Sequence, residues 1–201
     1  MTSAPTPPRR GRPPGDQNTR ARVLAAARRT FTERGYDAAT LRHIAREAGV
    51  DARMVRHYFA DKPGLFRAAM DVPIDPGALL STLLAEGLEG LGERLLRQLV
   101  AEWDRAGNAS AMITLVRSAM THDESTRMLR EFISSQVLGR IAAAVDAPDP
   151  ELRASLIGSQ IVGLVVARYI VRVEPVASAD PETVVAAIAP TIQRYLTGPL
   201  S

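Results

Sequence analysis

Three basic side chains, Arg53, Arg56 and His57, lie close together in the segment Ala52–Phe59. On a helix they share one side, because positions three or four apart are neighbours in space. A guanidinium group donates paired hydrogen bonds that suit guanine edges and phosphate oxygens. The segment therefore has the chemistry of a nucleic-acid contact, with Arg53 as the candidate for base recognition and Met54 as a candidate contact to a thymine methyl group.

Catalytic and metal chemistry have little support in this sequence. It contains no cysteine, which excludes disulfides, thiolate catalysis and zinc–sulfur sites. The three histidines, His43, His57 and His122, are not at metal-ligand spacing. Hydrolase and phosphate-loop motifs are absent as well. We therefore expect a protein that is not an enzyme and that needs neither a metal nor a cofactor.

Two short helices separated by a tight turn are predicted to position the basic residues. Thr40 can cap the first helix, and Gly49 follows its apolar stripe, where a helix end favours positive φ. Asp51 can cap the second helix after about three turn residues. Helices joined in this way form a helix-turn-helix, whose second helix, here Ala52–Phe59, enters the DNA major groove.

The segment TLRHIAREAGVDARMVRHYFADKPGLF, residues 40–66, resembles the DNA-binding signature of the TetR family of one-component transcriptional regulators. With the preceding helix, the resemblance covers roughly residues 19–70. The residues that carry it are Thr40, Ile44, Ala45, Ala48, Gly49, Val50, His57, Tyr58, Phe59, Lys62, Leu65 and Phe66. The chain departs from the family pattern at Arg53 and Met54, where members often carry small residues, and at Arg56, where many carry an aromatic residue.

The resemblance implies a set of DNA contacts. Arg42, Tyr58 and Lys62 are expected to hold phosphates, with the Thr40 hydroxyl close by. Arg56 is expected to contact phosphate rather than a base, because it replaces the usual phosphate-contacting aromatic residue. The full expected set on these helices is Thr40, Arg42, Ala52, Arg53, Met54, Arg56, His57, Tyr58 and Lys62.

Positive charge is concentrated at the N-terminal end of the chain. Residues 1–62 carry a net charge of +7 and residues 67–201 a net charge of −4, which gives +3 for the whole chain. This asymmetry is typical of a DNA-binding domain joined to a domain of another function. Residues 1–17 are rich in proline and are expected to form a disordered basic arm. Its Arg-Gly-Arg-Pro core, with Arg10 and Arg12, either inserts into a minor groove or stays solvated and attracts phosphates without specificity.

Helical periodicity with no sustained alternation predicts an all-α protein of about nine helices. Asn18 or Thr19 is expected to cap the first helix. Residues 18–66 form the predicted helix-turn-helix domain, and residues 67–201 form the predicted ligand-binding and dimerisation domain. The fourth helix, residues 63–70, is expected to be the only connection between the two, and therefore the hinge.

Two long helices near residues 152–173 and 181–196 are expected to pair two copies of the chain into a homodimer. The first is apolar on nearly all sides, so one face can pack on its own core and another on a partner. A dimer can also recognise two operator half-sites. The alternative is that both helices belong only to the protein's own core.

The helices between about residues 77 and 145 exceed what dimerisation requires. By family resemblance they enclose a mostly apolar inducer cavity, and the chain is expected to be a repressor that a small apolar ligand releases from its double-stranded DNA operator. The candidate lining residues, each of which could instead be a packing or solvated residue, are Trp103, Met112, Arg117, Met120, Phe132, Gln136, Gln160 and Tyr169. The alternatives are a constitutive or architectural DNA-binding dimer without a ligand, and a protein-binding adaptor.

The sequence also bears on location in the cell. It has neither the apolar core of a signal peptide nor an apolar run of about 18 residues. We therefore expect a cytoplasmic protein that does not enter a membrane.

Overall fold

A computed structural model describes residues 14–72, 74–105, 113 and 122–200, and these parts of the chain are helical without strands. The predicted all-α architecture with an N-terminal helix-turn-helix is confirmed, and the described ranges contain nine helices. Their bounds are α1 Pro14–Ala38, α2 Leu41–Ala48, α3 Ala52–Phe59, α4 Lys62–Ala69, α5 Pro76–Ala85, α6 Leu91–Asp104, α7 Asp123–Ile133 continued by a π-helical turn Ser134–Leu138 and by Gly139–Ala144, α8 Pro150–Val165 continued by a π-helical turn Val166–Ile170, and α9 Pro181–Thr197. Across the described ranges, none of these helices has the length and apolar character needed to cross a membrane.

Helix α1 begins earlier than the sequence indicated. It starts at Pro14, so Asn18 and Thr19 lie inside the helix and the prediction that one of them caps it is wrong. Residues 14–17 of the expected disordered arm are likewise helical. The physical reason is that proline has a φ suited to the first helical turn and needs no backbone donor there. Near its other end α1 is interrupted at Gly35, whose φ of 79° and ψ of 176° are not helical.

Helices α1 to α4 enclose the first of two hydrophobic cores. Ala45, which is 2% exposed, is small enough for α2 and α3 to cross closely. The other buried side chains come from the inner faces of all four helices; they include Val23, Ala27, Phe31, Ile44, Val55, Leu65 and Phe66. This core fixes α3 against α1 and α4, so the outer face of α3 has a defined orientation.

The second core lies among α5, α6, the last part of α7, α8 and α9. Its buried side chains include Leu80, Leu96, Ile141, Ile157, Val185, Ile192 and Leu196. Helices α6 and α9 pack closely at Gly92, where an added Cβ would lie 2.7 Å from the carbonyl oxygen of Ala189. Glycine is therefore required at this crossing, because any side chain would push the two helices apart.

Helix α7 belongs to both cores. Met128 and Phe132, in its first part, are buried in the first core, whereas Ile141, near its end, is buried in the second. The π-helical turn Ser134–Leu138 lies between these residues. A π turn contains more residues than an α turn, so it changes the direction in which the later side chains point. One continuous helix thereby presents different faces to two separate cores.

Phe132 fills the centre of an aromatic cluster in the first core. Its ring stacks on that of Phe66 with centroids 4.4 Å apart and meets the ring of Tyr36 edge-on at 5.2 Å. Phe31 contacts both Tyr36 and Phe66. Three of the four phenylalanines of the chain therefore meet at this point. The structure thus places Phe132, which was expected to line a ligand cavity, inside the core of the helix-turn-helix unit.

The expectation that the fourth helix is the only connection between the two units is wrong. Helix α7 packs along α1 and α8, so it bridges the units through space. The covalent connection through α4 is held separately by an ion pair of Arg67 with Asp75, 2.5 Å apart, at the start of α5. Sequence periodicity located α7 as a helix but could not show that its two ends face different cores.

Candidate nucleic-acid interface

The turn between α2 and α3 has the features that its sequence predicts. The Thr40 hydroxyl accepts a hydrogen bond from the His43 N–H at 3.1 Å and so caps α2. Gly49 ends the helix with a φ of 63°, and the Val50 N–H donates back to the Ala45 carbonyl at 3.0 Å. A helix end closed in this way favours glycine, because a side chain is strained at positive φ.

Helix α3 is anchored on one side and open on the other. Asp51 caps it by accepting a hydrogen bond from the Arg53 N–H at 2.7 Å, while Val55 and Phe59 are buried in the first core. The exposed residues of α3 are Arg53, Met54, Arg56 and His57. The helix therefore presents three basic side chains and one thioether to the surroundings, on a backbone that is fixed by its cap and its core contacts.

Arg22 of α1 fastens the turn from the opposite side. Its Nη2 atom donates to the carbonyl of Ala48 at 2.5 Å and to the carbonyl of Gly49 at 3.2 Å. These carbonyls lie at the C-terminal end of α2, where a helix has unpaired acceptors and a partial negative charge. The sequence does not predict this role of Arg22, because a basic residue in a charged helix gives no sign of which backbone group it will meet.

Two further arginines of α1 reach the ends of the next two helices. Arg28 Nε donates to the carbonyl of Ala69, the last residue of α4, at 2.5 Å, and its Nη2 lies 3.1 Å from the carboxylate of Asp71. The guanidinium of Arg20 lies 5.3 Å from the ring centroid of Phe59, the last residue of α3. Helix α1 therefore holds the C-terminal ends of α2, α3 and α4 with one arginine each.

The residues expected to hold phosphates are not equally available. Thr40 and Arg42 are exposed, and Tyr58 is half-buried. Lys62 is half-buried as well; its ammonium donates to the Asp37 carbonyl at 3.0 Å and lies 4.5 Å from the ring centroid of Tyr36. Burial of this ammonium lowers the pKa of Lys62. Lys62 therefore already holds the start of α4 against the end of α1 before any DNA is bound.

The tyrosine beneath Lys62 has an altered acidity of its own. Burial of its hydroxyl, with smaller contributions from the Asp61 and Asp37 carboxylates, raises the pKa of Tyr36 to about 12. The hydroxyl is therefore protonated at any physiological pH. It accepts a hydrogen bond from Nε2 of Gln136 at 3.4 Å. Oε1 of the same glutamine lies beside Gly77 of α5, so Gln136 contacts both units.

Of the residues expected to bind a ligand, Trp103 and Tyr169 are brought together. Their rings stack with centroids 5.0 Å apart and an interplanar angle of 25°. Trp103 is 3% exposed, and its indole N–H has no hydrogen-bond partner in the described part of the chain. Burial raises the pKa of Tyr169 to about 12. Gln160 is half-buried on α8.

Several predicted site residues lie outside the described residues: Arg10, Arg12, Met112, Arg117 and Met120. A surface groove of about 310 Å³ lies between α6 and α9, bordered by Glu93, Arg97 and Glu182. The Nη2 atom of Arg97 is 2.8 Å from each of the two carboxylates, and this hydrogen bonding lowers the pKa of Glu182. None of the residues expected to bind a ligand lines this groove, so we assign it no role.

Two family models match the chain. Residues 23–69 match the bacterial regulatory proteins of the tetR family, and residues 89–196 match the tetracyclin repressor-like C-terminal domain. The second match covers more than half of the chain. The first includes the helix-turn-helix and Arg28 of α1, whereas Arg20 and Arg22 lie just before it.

Individual relatives agree with these matches. A solved structure of a TetR-family regulator from Streptomyces coelicolor A3 is 36% identical, with a TM-score of 0.53, and the alignment covers 92% of this chain and 98% of that one. The HTH-type transcriptional regulator BetI of Burkholderia thailandensis is 27% identical over 150 residues, 73% of this chain and 77% of that protein. The HTH-type transcriptional repressor AcnR of Corynebacterium glutamicum is 41% identical over 51 residues, 25% of this chain and 27% of that repressor. The chain thus spans less than half the length of some curated relatives that it matches.

Replacing Arg22 by alanine should lower the free energy of unfolding by about 1–2 kcal/mol, because the end of α2 loses a charged donor. Urea unfolding followed by circular dichroism measures this change. Arg29→Ala is the matched control, because Arg29 is an exposed arginine of the same helix, and it should change stability by less than about 0.5 kcal/mol. Equal destabilisation by the two variants would contradict the role given to Arg22.

Proposed function

This chain belongs to the TetR family of transcriptional regulators, and from that premise we propose that it is a repressor that binds a double-stranded DNA operator through α2 and α3. The proposal rests on the two faces of α3. Arg53, Arg56 and His57 are exposed on α3, while Val55 and Phe59 hold that helix in the first core. A basic, rigidly held helix of this length fits the major groove.

The exposed side chains divide into base and phosphate contacts by their chemistry. Arg53 lies two positions after the capping residue Asp51, in the first turn of α3, the end that meets base edges in helix-turn-helix proteins. Its fork of donors pairs with O6 and N7 of guanine, and Met54 can contact a thymine methyl group. Arg42 and Thr40, at the start of α2, and Arg56 supply donors for phosphates on either side of the groove.

Replacing Arg53 by alanine should weaken operator binding by about 1–3 kcal/mol and relax base preference at one position. The operator is first obtained by selecting bound sequences from a random duplex library, and affinities are then measured at fixed salt. Arg130→Ala, which removes an exposed arginine from α7, controls for the loss of positive charge. If Arg53→Ala bound the selected sequence as tightly and as selectively as the parent, Arg53 would not be the base-reading residue.

We also infer that the protein acts as a homodimer through α8 and α9. Leu152 and Val162 of α8 are 52% and 57% exposed, so an apolar side of this helix is uncovered in the single chain. An added Cβ at Gly163 would meet no atom within 4 Å. Small and apolar exposed residues on one helix face support close packing against a second helix. The pair would place two α3 helices on two half-sites of one operator.

The same two helices are locked together within the chain. Arg153 of α8 is buried and donates to the carbonyls of Tyr195 and Gly198, both at 2.9 Å, at the end of α9. A third hydrogen bond joins its Nε to the carbonyl of Pro148 at 2.7 Å. Because α8 and α9 are fixed to each other, a partner would meet a preformed surface and lose little conformational entropy on binding.

Replacing Val162 by glutamate should convert the dimer to a monomer, because a charge would be buried without a partner at the helix contact. Sedimentation velocity at micromolar concentration measures the mass of the particle. The control is Thr82→Glu, which places the same charge on an exposed position of α5. A parent protein that sediments as a monomer under these conditions would remove the dimer proposal altogether.

A small apolar ligand is proposed to release the protein from its operator by binding beside Trp103 and Tyr169. The stacked pair supplies a flat apolar wall. No described residue accepts a hydrogen bond from the indole N–H of Trp103, so this N–H can donate to an oxygen of the ligand. Ligand and operator would be coupled only through a difference in ligand affinity between the DNA-competent and DNA-incompetent states.

Trp103 is the only tryptophan of the chain, so its fluorescence reports on this site directly. Titration with small apolar compounds that carry a hydrogen-bond acceptor should shift its emission and weaken operator binding over the same concentration range. Trp103→Phe should keep the fold and reduce the effect of the compound on operator binding, because the indole N–H donor is removed. A compound that saturates the site and leaves operator affinity unchanged would favour the alternative, a constitutive or architectural DNA-binding dimer.

A further inference from the structure

The break at the end of α1 is held by a carboxylate that comes from α7. Oε2 of Glu131 accepts a hydrogen bond from the Asp37 N–H at 2.9 Å, across 94 positions of sequence. The same carboxylate lies directly over Gly35, where an added Cβ would be 2.6 Å from Oε2. Gly35 has a φ of 79° and a ψ of 176°, so its backbone conformation requires glycine. A Cβ at this position would also displace the Glu131 carboxylate.

This contact lies at the root of the helix-turn-helix. Thr40, which caps α2, is only three positions after Asp37, and the hydrogen bond from the His43 N–H to Thr40 then sets the direction of α2. Lys62, at the start of α4, donates to the carbonyl of the same Asp37 at 3.0 Å. The backbone of Asp37 is therefore held on both sides, by Glu131 through its N–H and by Lys62 through its carbonyl.

The other end of the same helix is fixed in the second unit. After the π-helical turn, Arg140 Nη1 donates to the Ser81 hydroxyl of α5 at 2.6 Å, and Ile141 is buried in the second core. Helix α7 thus runs from Glu131 to a unit that contains α8 and α9. Glu131 at one end of α7 and Ile141 at the other therefore fix the angle between α2 and the pair α8 and α9.

We propose that Glu131 is a positioning residue for operator recognition. By holding the α1–α2 junction, it fixes how far apart the two α3 helices lie in the dimer, and so which separation of half-sites the protein accepts. The proposal rests on the dimeric operator binding proposed above. It assigns Glu131 no contact with DNA, because its carboxylate faces the backbone of α1 within the protein.

The test is a spacing series made from the operator sequence that wild-type protein selects from random duplex DNA. One base pair is added to or removed from the centre, which moves and rotates one half-site relative to the other. Wild-type protein should lose affinity by about tenfold or more. Glu131→Ala should lose less than about threefold in affinity on the same change, because the Asp37 N–H at the α1–α2 junction is no longer held and the direction of α2 and α3 is less strictly fixed.

Two comparisons separate positioning from general damage. Glu131→Gln keeps an oxygen that can accept from the Asp37 N–H, so it should retain the wild-type spacing preference. Glu124→Gln, which removes the same charge from an exposed position of α7, should also retain it. A Glu131→Ala protein that keeps the full tenfold spacing penalty would overturn the proposal.

A second variant covers the case in which Glu131→Ala does not fold. Gly35→Ala introduces the Cβ that would collide with the carboxylate, and it should flatten the spacing preference in the same way. Unchanged spacing preference in a folded Gly35→Ala protein would also overturn the proposal. Failure of the wild-type protein to enrich any DNA would instead refute operator binding itself, and the positioning role with it.

Discussion

Phe132 of α7 inserts into the core of the helix-turn-helix unit and joins that unit to the rest of the protein. A unit of four short helices has a small core, and small domains bury too little surface to be very stable by themselves. Phe132, 2% exposed, adds a complete aromatic ring between Tyr36 and Phe66. Burial of a phenylalanine contributes about 1.5–3 kcal/mol to the free energy of unfolding. The first unit therefore gains a substantial part of its stability from α7, a helix that continues into the second unit.

This arrangement makes α7 the mechanical connection between the two functions of the chain. Around the ring of Phe132, the polar contacts of Glu131 and Gln136 fix the end of α1. The π-helical turn that follows lets the same helix enter the second core with another face. Packed cores tolerate few intermediate positions, so a change in the second unit that moves α7 should move the first unit as a body. Any ligand near Trp103 would act on the DNA-binding unit by this path or through α4.

The local elements of the DNA-binding unit could be predicted from sequence because each has a local cause. Thr40 and Asp51 cap their helices as their types indicate, and Gly49 has the positive φ that its position after α2 suggested. The start of α1 could not be predicted in this way, because capping candidates at residues 18 and 19 compete with a proline that suits a first turn. The sequence pattern does not show which of these residues begins the helix.

What the sequence could not supply were contacts between distant residues. Phe132 fits a ligand cavity or a core equally well by its type and helical position, and only tertiary packing decides between them. Arg22 and Glu131 are ordinary charged residues of amphipathic helices until the chain brings each to a helix end, 26 and 94 positions away. Their roles come from backbone groups left unpaired where helices stop, and these groups have no signature in a side-chain pattern.

Native-state hydrogen exchange in increasing urea tests the central claim most directly, namely that the first part of α7 is a structural member of the DNA-binding unit. Amides that share a cooperative unit open with the same free energy and the same urea dependence. We expect the protected amides of residues 127–133 to open together with those of α1 and α4 at every urea concentration. Opening of residues 127–133 at lower free energy, while α1 and α4 stay protected, would contradict this claim.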